Sequence, residues 1–345
     1  MIFDTNIKLC HDQNMAKGQR PVGSDKSAVI EKLPRACMDE IAAVEFFEEQ
    51  RWGETGPCCP LCGSVAVYKM TDRKTGERNK RFLWRCRDCQ KQYTVRINTV
   101  YEDSPIPLRC WAYAFWKACS SKKGVSALQI KRETGLTYKS ALFMMHRIRH
   151  AMAPRVRDEQ PKLGGDDQII EADITYVGGK PRNKQHRPGP RMFEGKKMPV
   201  FSIVERGGKK RSFATADVTA KNLERILKEH ADFGSHLMTD SGGVFKYRIG
   251  KPFARHDMTN HRTGEYARPG GIHSNTVESS FSLLKRGVYG TFHNVSRKHL
   301  HRYVAEFDFR WNNRGVDDGE RTVNAIRQAD RKRLTFKKLI ATPTP

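Results

Sequence analysis

The sequence has little negative charge for its length. Its 345 residues include 38 Asp and Glu against 63 Lys and Arg, and the formal net charge at pH 7 is +25. A surface this basic repels cations and attracts polyanions, because contacts with phosphates release the counterions condensed on nucleic acid. The shortage of acidic residues therefore argues against a cationic partner and favours a nucleic acid.

Long apolar stretches are also absent. The sequence contains no long uncharged apolar run and no strong amphipathic anchor, so we expect no membrane partner. The N-terminus is mixed and polar and lacks the apolar core of a signal peptide, which indicates a soluble cytoplasmic protein. A chain of 345 residues is long enough for two or three domains that each bury a core.

The nine cysteines do not indicate a disulfide framework. Four of them form two Cys-x-x-Cys pairs, which in a reducing compartment suit one tetrahedral zinc ion: Cys59, Cys62, Cys86 and Cys89. Gly63 favours the tight turn after the first pair. Cys58 is an alternative to Cys59, and a set of buried free cysteines is the alternative to a metal site, although it does not explain the doublets. The remaining cysteines lack partners at ligand spacing: Cys10, Cys37, Cys110 and Cys119.

Three helices are predicted after the cysteine pairs, over residues 108–120, 125–134 and 138–152. A glycine-containing turn, Gly135-Leu136-Thr137, separates the last two, as in a helix-turn-helix whose second helix enters a major groove. Its polar face would then carry four basic side chains: Lys139, His146, Arg147 and Arg149. The alternative is a three-helix packing module with a solvated basic face.

Three acidic residues lie in segments that suit metal-dependent phosphoryl transfer. Asp173 lies in the apolar run 169–179, which predicts a strand that presents it near its end. Asp240 lies in a second short predicted strand, HLMTDSGG (236–243), with two glycines shortly after the carboxylate. Glu278 lies in a helical stretch seven residues before Lys285, so both side chains share one face. Hard Mg²⁺ or Mn²⁺ prefers such carboxylate oxygens.

The order of elements around these acids predicts a mixed α/β catalytic domain. A hairpin over 199–205 and 210–216 precedes an amphipathic helix, 219–232, and the strand that holds Asp240. The ribonuclease-H-like fold has this order of elements: three strands, a helix, a further strand and a later helix that carries an acid. The basic loop 178–199 between the first two strands is predicted to contact phosphates, the alternative being a disordered insert. Its candidate DNA contacts are Lys180, Arg182, Lys184 and Arg187.

The stretches EADITYVGGK, TDS and HSNTVESSFSLLKRGVYGTFHNVSRKHLHRYVAEFDFRWNNR resemble bacterial insertion-sequence transposases of the ISXO-like group. In that group a zinc ribbon precedes a DDE-type integrase domain, and the resemblance covers roughly residues 40–315. It implies that Asp173, Asp240 and Glu278 form the acidic triad, with Lys285 as the basic residue after the third acid. Related groups vary at the third position, so His273 or Asn275 is an alternative or additional contributor there. Lys285 and Arg286 would hold DNA phosphates.

The resemblance implies a DNA transposase that acts as a homo-oligomer on element ends and target DNA, associated with the bacterial nucleoid. The expected organisation is a polar segment (1–35), a zinc ribbon region (36–100), a helix-turn-helix-like module (101–160), a ribonuclease-H-like DDE domain (165–315) and a peripheral tail (316–345). The alternatives are a non-catalytic zinc-ribbon regulator on an integrase-like scaffold and a metal-dependent nuclease. In the last helix, 298–313, Glu306 and Arg310 are expected to form a structural pair.

Overall fold

The structure is a computed structural model that describes residues 25–155, 160–178, 197–242, 244–245 and 249–341. The chain divides into two compact units. Among the described residues, one comprises residues 25–120, 127–151 and 316–341, and the other comprises residues 121–126 and those between 152 and 315. Among the described residues, no helix is long and apolar enough to span a membrane.

The first unit begins with two helices and a small sheet. Helix α1 (Asp25–Met38) is followed by α2 (Glu40–Trp52), which begins where the Asp39 carboxylate accepts a hydrogen bond from the backbone N–H of Ala42. Three short antiparallel strands follow in the order β1-β2-β3. Their bounds are β1 (Val67–Lys69), β2 (Trp84–Cys86) and β3 (Gln92–Tyr93).

Three further helices lie where the hydrophobic period predicts them. They are α3 (Leu108–Ser120), α4 (Ala127–Thr134) and α5 (Tyr138–Met152). Gly135 turns the chain between α4 and α5 with a φ of 73°, a left-handed conformation that favours glycine. The core of this unit is aromatic, since Phe47 lies against Tyr101 with ring centroids 5.1 Å apart and Tyr101 lies against Trp111 at 5.8 Å.

The second unit is built on a five-stranded mixed sheet with the order β6-β5-β4-β7-β8. The bounds of its strands are β4 (Ile169–Val177), β5 (Met198–Glu205), β6 (Lys210–Ala214), β7 (His236–Asp240) and β8 (Arg255–Thr259). Strands β5 and β6 form an antiparallel hairpin, and β5 pairs antiparallel with β4. Strands β7 and β8 run parallel to β4, which puts the C-terminal ends of these three strands at one edge.

Both faces of this sheet are covered. Helix α6 (Ala220–His230) begins at Thr219, whose hydroxyl caps it as predicted, and buries Leu223, Ile226 and Leu227 against one face. Residues Ile170 and Ala172 of β4 point into that core. The alternating residues Glu171 and Asp173 therefore point to the other face.

The elements on the second face follow β8. The short strands β9 (Ala267–Arg268) and β10 (Ile272–His273) form an antiparallel pair just before α7 (Asn275–Gly287). A π-helical turn, residues 288–292, and α8 (Arg297–Asn312) complete the layer. The expected pair between Glu306 and Arg310 forms within α8, where both side chains are buried.

The end of the chain returns to the first unit. Helix α9 (Asp318–Arg327) packs on α3, and its Arg321 donates a 3.0 Å hydrogen bond to the backbone carbonyl of Cys119. The chain ends in α10 (Phe336–Ile340), and Leu334 and Leu339 are buried. The expectation of a peripheral tail after residue 315 was wrong, because apolar residues spaced along a charged segment form part of a core.

Candidate active site and zinc ribbon

Three acidic residues reach the second face of the mixed sheet from three elements. Asp240 ends β7, and Glu278 lies in the first turn of α7. Asp173 lies in the middle of β4 rather than near its end as predicted, because β4 continues along β5 for four more residues. The register pairs Ala172 with Thr239, so that Asp173 lies beside Asp240 at the point where β7 ends.

The charges of Asp240 and Glu278 act on the carboxyl of Asp173. Burial, followed by the charges of Asp240 and Glu278, raises the pKa of the Asp173 carboxyl to about 6. The backbone N–H of Ile174, which donates to Asp173 Oδ1 at 2.7 Å, and the side chain of His261 lower the pKa without cancelling the increase. Carboxylate oxygens are ligands that hard divalent cations prefer, although among the described residues the group placed within metal-binding distances is the cysteine cluster below.

The raised pKa makes the stability of the protein depend on pH. A carboxyl whose pKa is higher in the folded state stabilises the fold below its unfolded pKa and loses that contribution as pH rises through about 6. Between pH 5 and pH 8 in Mg²⁺-free buffer, we expect the free energy of unfolding of the wild type to fall by about 1.4 kcal/mol relative to Asp173→Asn. Urea unfolding of both proteins across this range measures the difference, and parallel pH profiles would contradict it.

His261 was not predicted as a site residue. Strand β8 runs parallel to β7, with Thr259 paired to Asp240, and the chain then brings His261 to the acidic cluster. Its Nδ1 lies 2.8 Å from Glu278 Oε1, and its ring centroid lies 5.2 Å from that of the exposed Tyr266. A lone histidine in a polar loop carries no sequence signal for this contact.

Glu171 and Arg206 were also missed. The Glu171 side chain is fully buried, and Arg206 Nη2 lies 2.8 Å from its Oε1. The sequence did contain a signal for Glu171. It is a charged residue in a largely apolar strand, two residues before Asp173 and therefore on the same face of the sheet. Arg206 follows the hairpin strand β5 and had no such signal.

The two alternative third ligands lie at the start of α7. His273 Nδ1 is 3.1 Å from Arg206 Nη2 and also accepts a hydrogen bond from the backbone N–H of Asn275 at 3.3 Å. Asn275 is exposed as the first residue of the helix. Glu278 is the residue of the three whose charge acts on Asp173.

A second site lies in the first unit, where two turns bring four cysteines together. The sulfur atoms of Cys59, Cys62, Cys86 and Cys89 all lie within 4.8 Å of one another. The Sγ atoms of Cys59 and Cys89 are 3.7 Å apart, and those of Cys62 and Cys86 are 3.6 Å apart. Tetrahedral zinc with bonds of about 2.3 Å requires sulfur atoms about 3.8 Å apart, so the cluster fits zinc. Cys58 lies outside the cluster.

Each half of the cysteine cluster is a tight turn. The backbone N–H of Gly63 donates to the Cys59 carbonyl at 2.8 Å, and Gly63 has a φ of 79° as the sequence predicted. In the second turn, the backbone N–H of Cys89 lowers the pKa of the Cys86 thiol to about 7. A thiol that ionises near neutral pH is a ready metal ligand.

The small sheet beside the cysteines is anchored to helix α2. Trp84 Nε1 donates to Glu48 Oε1 at 2.7 Å, and Arg78 pairs with the same carboxylate. The Trp84 ring also lies 5.3 Å from the ring of Trp52. The fold of the ribbon is therefore coupled to a buried carboxylate and two aromatic rings.

Comparisons with known proteins place both sites in one family. The family model described as the ISXO2-like transposase domain matches residues 162–312, and the transposase zinc-ribbon domain matches residues 38–92. The chain therefore carries a transposase zinc ribbon followed by an ISXO2-like transposase domain. It is 26% identical over 288 residues to an uncharacterized protein in transposable element ISH50 of Halobacterium salinarum, covering 80% of this chain and 92% of that protein.

A solved structure also resembles part of the transposase. It is the cryo-EM structure of a simian T-cell lymphotropic virus intasome in complex with PP2A regulatory subunit B56 gamma, with 16% identity and a TM-score of 0.26. The match covers 52% of this chain and 63% of that chain, which is less than two thirds of its length. A TM-score this low does not assign the fold.

The helical module of the transposase differs from its prediction. His146, Arg147 and Arg149 of α5 are buried, and Arg147 Nε donates to the Leu334 carbonyl at 3.0 Å. The prediction that these three side chains form a polar face was therefore wrong, because all three are buried and Arg147 contacts a segment near the end of the chain. Lys139 is exposed at the other end of α5.

The predicted phosphate contacts of the transposase are distributed over two segments. Lys285 and Arg286 are exposed in the last turn of α7, two turns from Glu278. The basic-loop residues lie outside the described residues: Lys180, Arg182, Lys184 and Arg187.

Proposed function

We propose that this chain is a DDE-type DNA transposase that binds the ends of an insertion sequence, cleaves a phosphodiester there and transfers the freed strand to target DNA. The observation that carries the proposal is that Asp240 and Glu278 lie close enough to Asp173 for their charges to raise the pKa of its carboxyl. Neighbouring carboxylates repel one another, and a bound divalent cation would relieve that repulsion.

The sheet topology supports a ribonuclease-H-like fold for the catalytic domain. When β4 to β8 are numbered one to five in chain order, their order across the sheet is 3-2-1-4-5. The second of them, β5, is antiparallel to the other four. This topology places the middle of the first strand beside the end of the fourth. The acids Asp173 and Asp240 lie at that junction, and α7 supplies Glu278 from the covering layer.

Asp173, Asp240 and Glu278 are the residues that would hold Mg²⁺ or Mn²⁺. A pair of such ions, when bound, activates an attacking oxygen and stabilises the leaving one. The chain itself prepares this site through His261, whose Nδ1–H donates to Glu278 and fixes the orientation of that carboxylate. The Glu278 side chain is 39% exposed and is therefore accessible to a ligand from solvent.

The basic residues beyond the acids would hold the DNA backbone. Lys285 and Arg286 extend from the same helix as Glu278, and their exposed cations are suited to phosphates. His273 and Asn275 lie at the start of this helix, and we propose them as neighbouring DNA contacts. Because α5 buries its C-terminal half, we propose that the helical module contacts DNA with Thr137, Tyr138 and Lys139, which are exposed.

The zinc ribbon supplies the remaining part of the proposed activity. We propose that one Zn²⁺ bound by the four clustered cysteines holds this small sheet folded for contact with element ends. Joining both ends of one element requires a catalytic site at each end, which favours a homo-oligomer assembled on DNA.

The proposed activity is tested with purified protein, Mg²⁺ and duplexes that carry the ends of the element. Mapping of nicks and joined products should show cleavage at the ends followed by strand transfer. Binding without cleavage would overturn the proposal in favour of a regulator. Cleavage of unrelated duplexes and RNA–DNA hybrids at the same rate would identify a general nuclease instead.

The basic loop provides a prediction about binding. Joint replacement of Lys180, Arg182, Lys184 and Arg187 by Ala should weaken binding to all duplexes alike, because phosphate contacts carry no sequence information. Each lost contact makes the plot of log K against log salt shallower by about 0.9, so the slope should change by up to about 3.6. Fluorescence anisotropy from low to moderate salt measures this slope.

The matched control removes charge elsewhere. Lys221 and Lys228 are exposed on α6, which covers the face of the sheet opposite the acids. Their joint replacement by Ala removes two charges and should leave the slope of log K against log salt nearly unchanged. An equal effect per charge in both variants would show that the loop acts only through net charge and does not touch phosphates.

A further inference from the structure

The start of α7 is capped by a residue from another element. Ser274 occupies the N-cap position but makes no side-chain capping bond. Glu171 of β4 instead accepts hydrogen bonds at Oε2 from the backbone N–H groups of Thr276 (2.7 Å) and Val277 (2.9 Å). Its Oε1 accepts a third, from the Thr276 hydroxyl at 2.8 Å. A carboxylate at this position satisfies free N–H groups and opposes the positive end of the helix dipole.

The negative charge of Glu171 is compensated by Arg206. Arg206 Nε donates to Glu171 Oε1 at 2.9 Å, Nη1 donates to the carbonyl of Gly271 at 2.9 Å, and Nη2 donates to the carbonyl of His273 at 3.1 Å. The backbone N–H of Arg206 also donates to the Ile169 carbonyl at 2.9 Å. Arg206 thus joins β4 to strand β10 and the residue before it, just ahead of α7. A buried carboxylate requires such a partner, because an unpaired one is strongly disfavoured.

This pair fixes the third acid relative to the first. Glu171 and Asp173 are alternate residues of one strand and point to the same face. Glu278 follows directly after Val277, whose N–H binds Glu171. The helix turn that carries Glu278 is therefore held to the strand that carries Asp173 by one carboxylate.

We propose that Glu171 and Arg206 are positioning residues that set the metal affinity of the acidic cluster by holding Glu278 in place beside Asp173 and Asp240. This inference rests on the proposed metal centre. The same contacts use His273 Nδ1, which accepts from Arg206 Nη2, so His273 supports the pair instead of completing the metal site.

The test measures metal binding without DNA or turnover. Mn²⁺ is titrated into the full-length protein, with its ribbon zinc in place, and the free ion is followed by its electron paramagnetic resonance signal. Glu171→Gln keeps the size of the side chain, but its amide NH₂ cannot accept a hydrogen bond. We expect the Kd for Mn²⁺ to rise by about 10- to 100-fold, the scale of lost support behind metal ligands. Cleavage should recover in part at high Mn²⁺.

The matched control is Glu306→Gln. Glu306 is also a fully buried glutamate paired with an arginine, but both partners lie in α8. Its replacement should lower the Tm in a similar way and leave the Kd for Mn²⁺ within about twofold of the wild type. An equal loss of Mn²⁺ affinity in both variants would reduce the role of Glu171 to general stability and overturn the proposal.

Arg206→Lys gives a milder perturbation if Glu171→Gln does not fold. Lysine keeps the positive charge, but it cannot bind Glu171 and two carbonyls at once, so an intermediate Mn²⁺ affinity is expected. Wild-type affinity in this variant and in Glu171→Gln would refute the positioning role. Asp173→Asn separates this failure from failure of the metal centre itself: if it binds Mn²⁺ as the wild type does, the centre lies elsewhere.

Discussion

Asp173→Asn should abolish cleavage of element-end DNA while leaving the binding of that DNA intact. Asn keeps the size of the side chain but removes the negative charge that a divalent cation requires. Asp173 lies where burial and two neighbouring acids raise the pKa of its carboxyl, so a bound cation would favour its ionised form. We expect cleavage to fall about a thousandfold or more, the scale of losing a group that stabilises developing charge. Gel analysis of nicks and a mobility-shift assay measure the two quantities separately.

Comparison of the neighbouring variants decides which residue is the third ligand. Asp240→Asn and Glu278→Gln should match Asp173→Asn, whereas Asn275→Ala and His273→Ala should retain more cleavage. Glu229→Gln on α6, an exposed acid on the opposite face, is the matched control and should be fully active. Cleavage at the wild-type rate in Asp173→Asn would refute the enzyme proposal. A greater loss in His273→Ala than in Glu278→Gln would transfer the third position to His273.

The sequence was sufficient to predict the elements that carry the acids because their signals are local. Alternating apolar residues indicate β4 and β7, and the period of Leu223, Ile226 and Leu227 indicates α6, whose buried face the structure confirms. The order of these elements restricts the topology of a mixed α/β sheet to few choices. The convergence of Asp173 and Asp240 follows from this topology.

The supporting contacts could not be predicted, because they join residues far apart in sequence. Glu171 caps a helix that begins more than a hundred residues later, and nothing near Glu171 in the sequence indicates that helix. His261 reaches Glu278 through a polar loop without a period.

The basic residues of α5 were misassigned for a related reason. Arg147 and Arg149 suggested a solvated face, but both are buried, and Arg147 donates a hydrogen bond to the backbone of Leu334, which lies far away in the sequence. Arginine stems are largely apolar, and a guanidinium can be buried where backbone carbonyls accept its hydrogen bonds. Charge alone therefore does not establish exposure.

Joint replacement of Cys86 and Cys89 by Ser should remove the ribbon metal and unfold the small sheet. The four cysteine sulfurs have the spacing of a tetrahedral site, and a sheet of three short strands buries too little apolar surface to fold without it. Zinc content should fall from about one ion per chain to none. Trp84, released from Glu48 and from the ring of Trp52, should show a red-shifted emission. Binding of element ends should weaken in parallel if the ribbon contacts them.

The chain supplies two controls for this change. Cys110 and Cys119 are buried in α3 outside the cluster, so their joint replacement by Ser tests the loss of two buried thiols without loss of ligands. Cys58→Ser tests the neighbour of Cys59. Both controls should keep about one zinc per chain, because the sulfurs that converge are those of Cys59, Cys62, Cys86 and Cys89. Unchanged zinc content in the Cys86 and Cys89 variant would refute the assignment, and loss of zinc in Cys58→Ser would move the first ligand from Cys59 to Cys58.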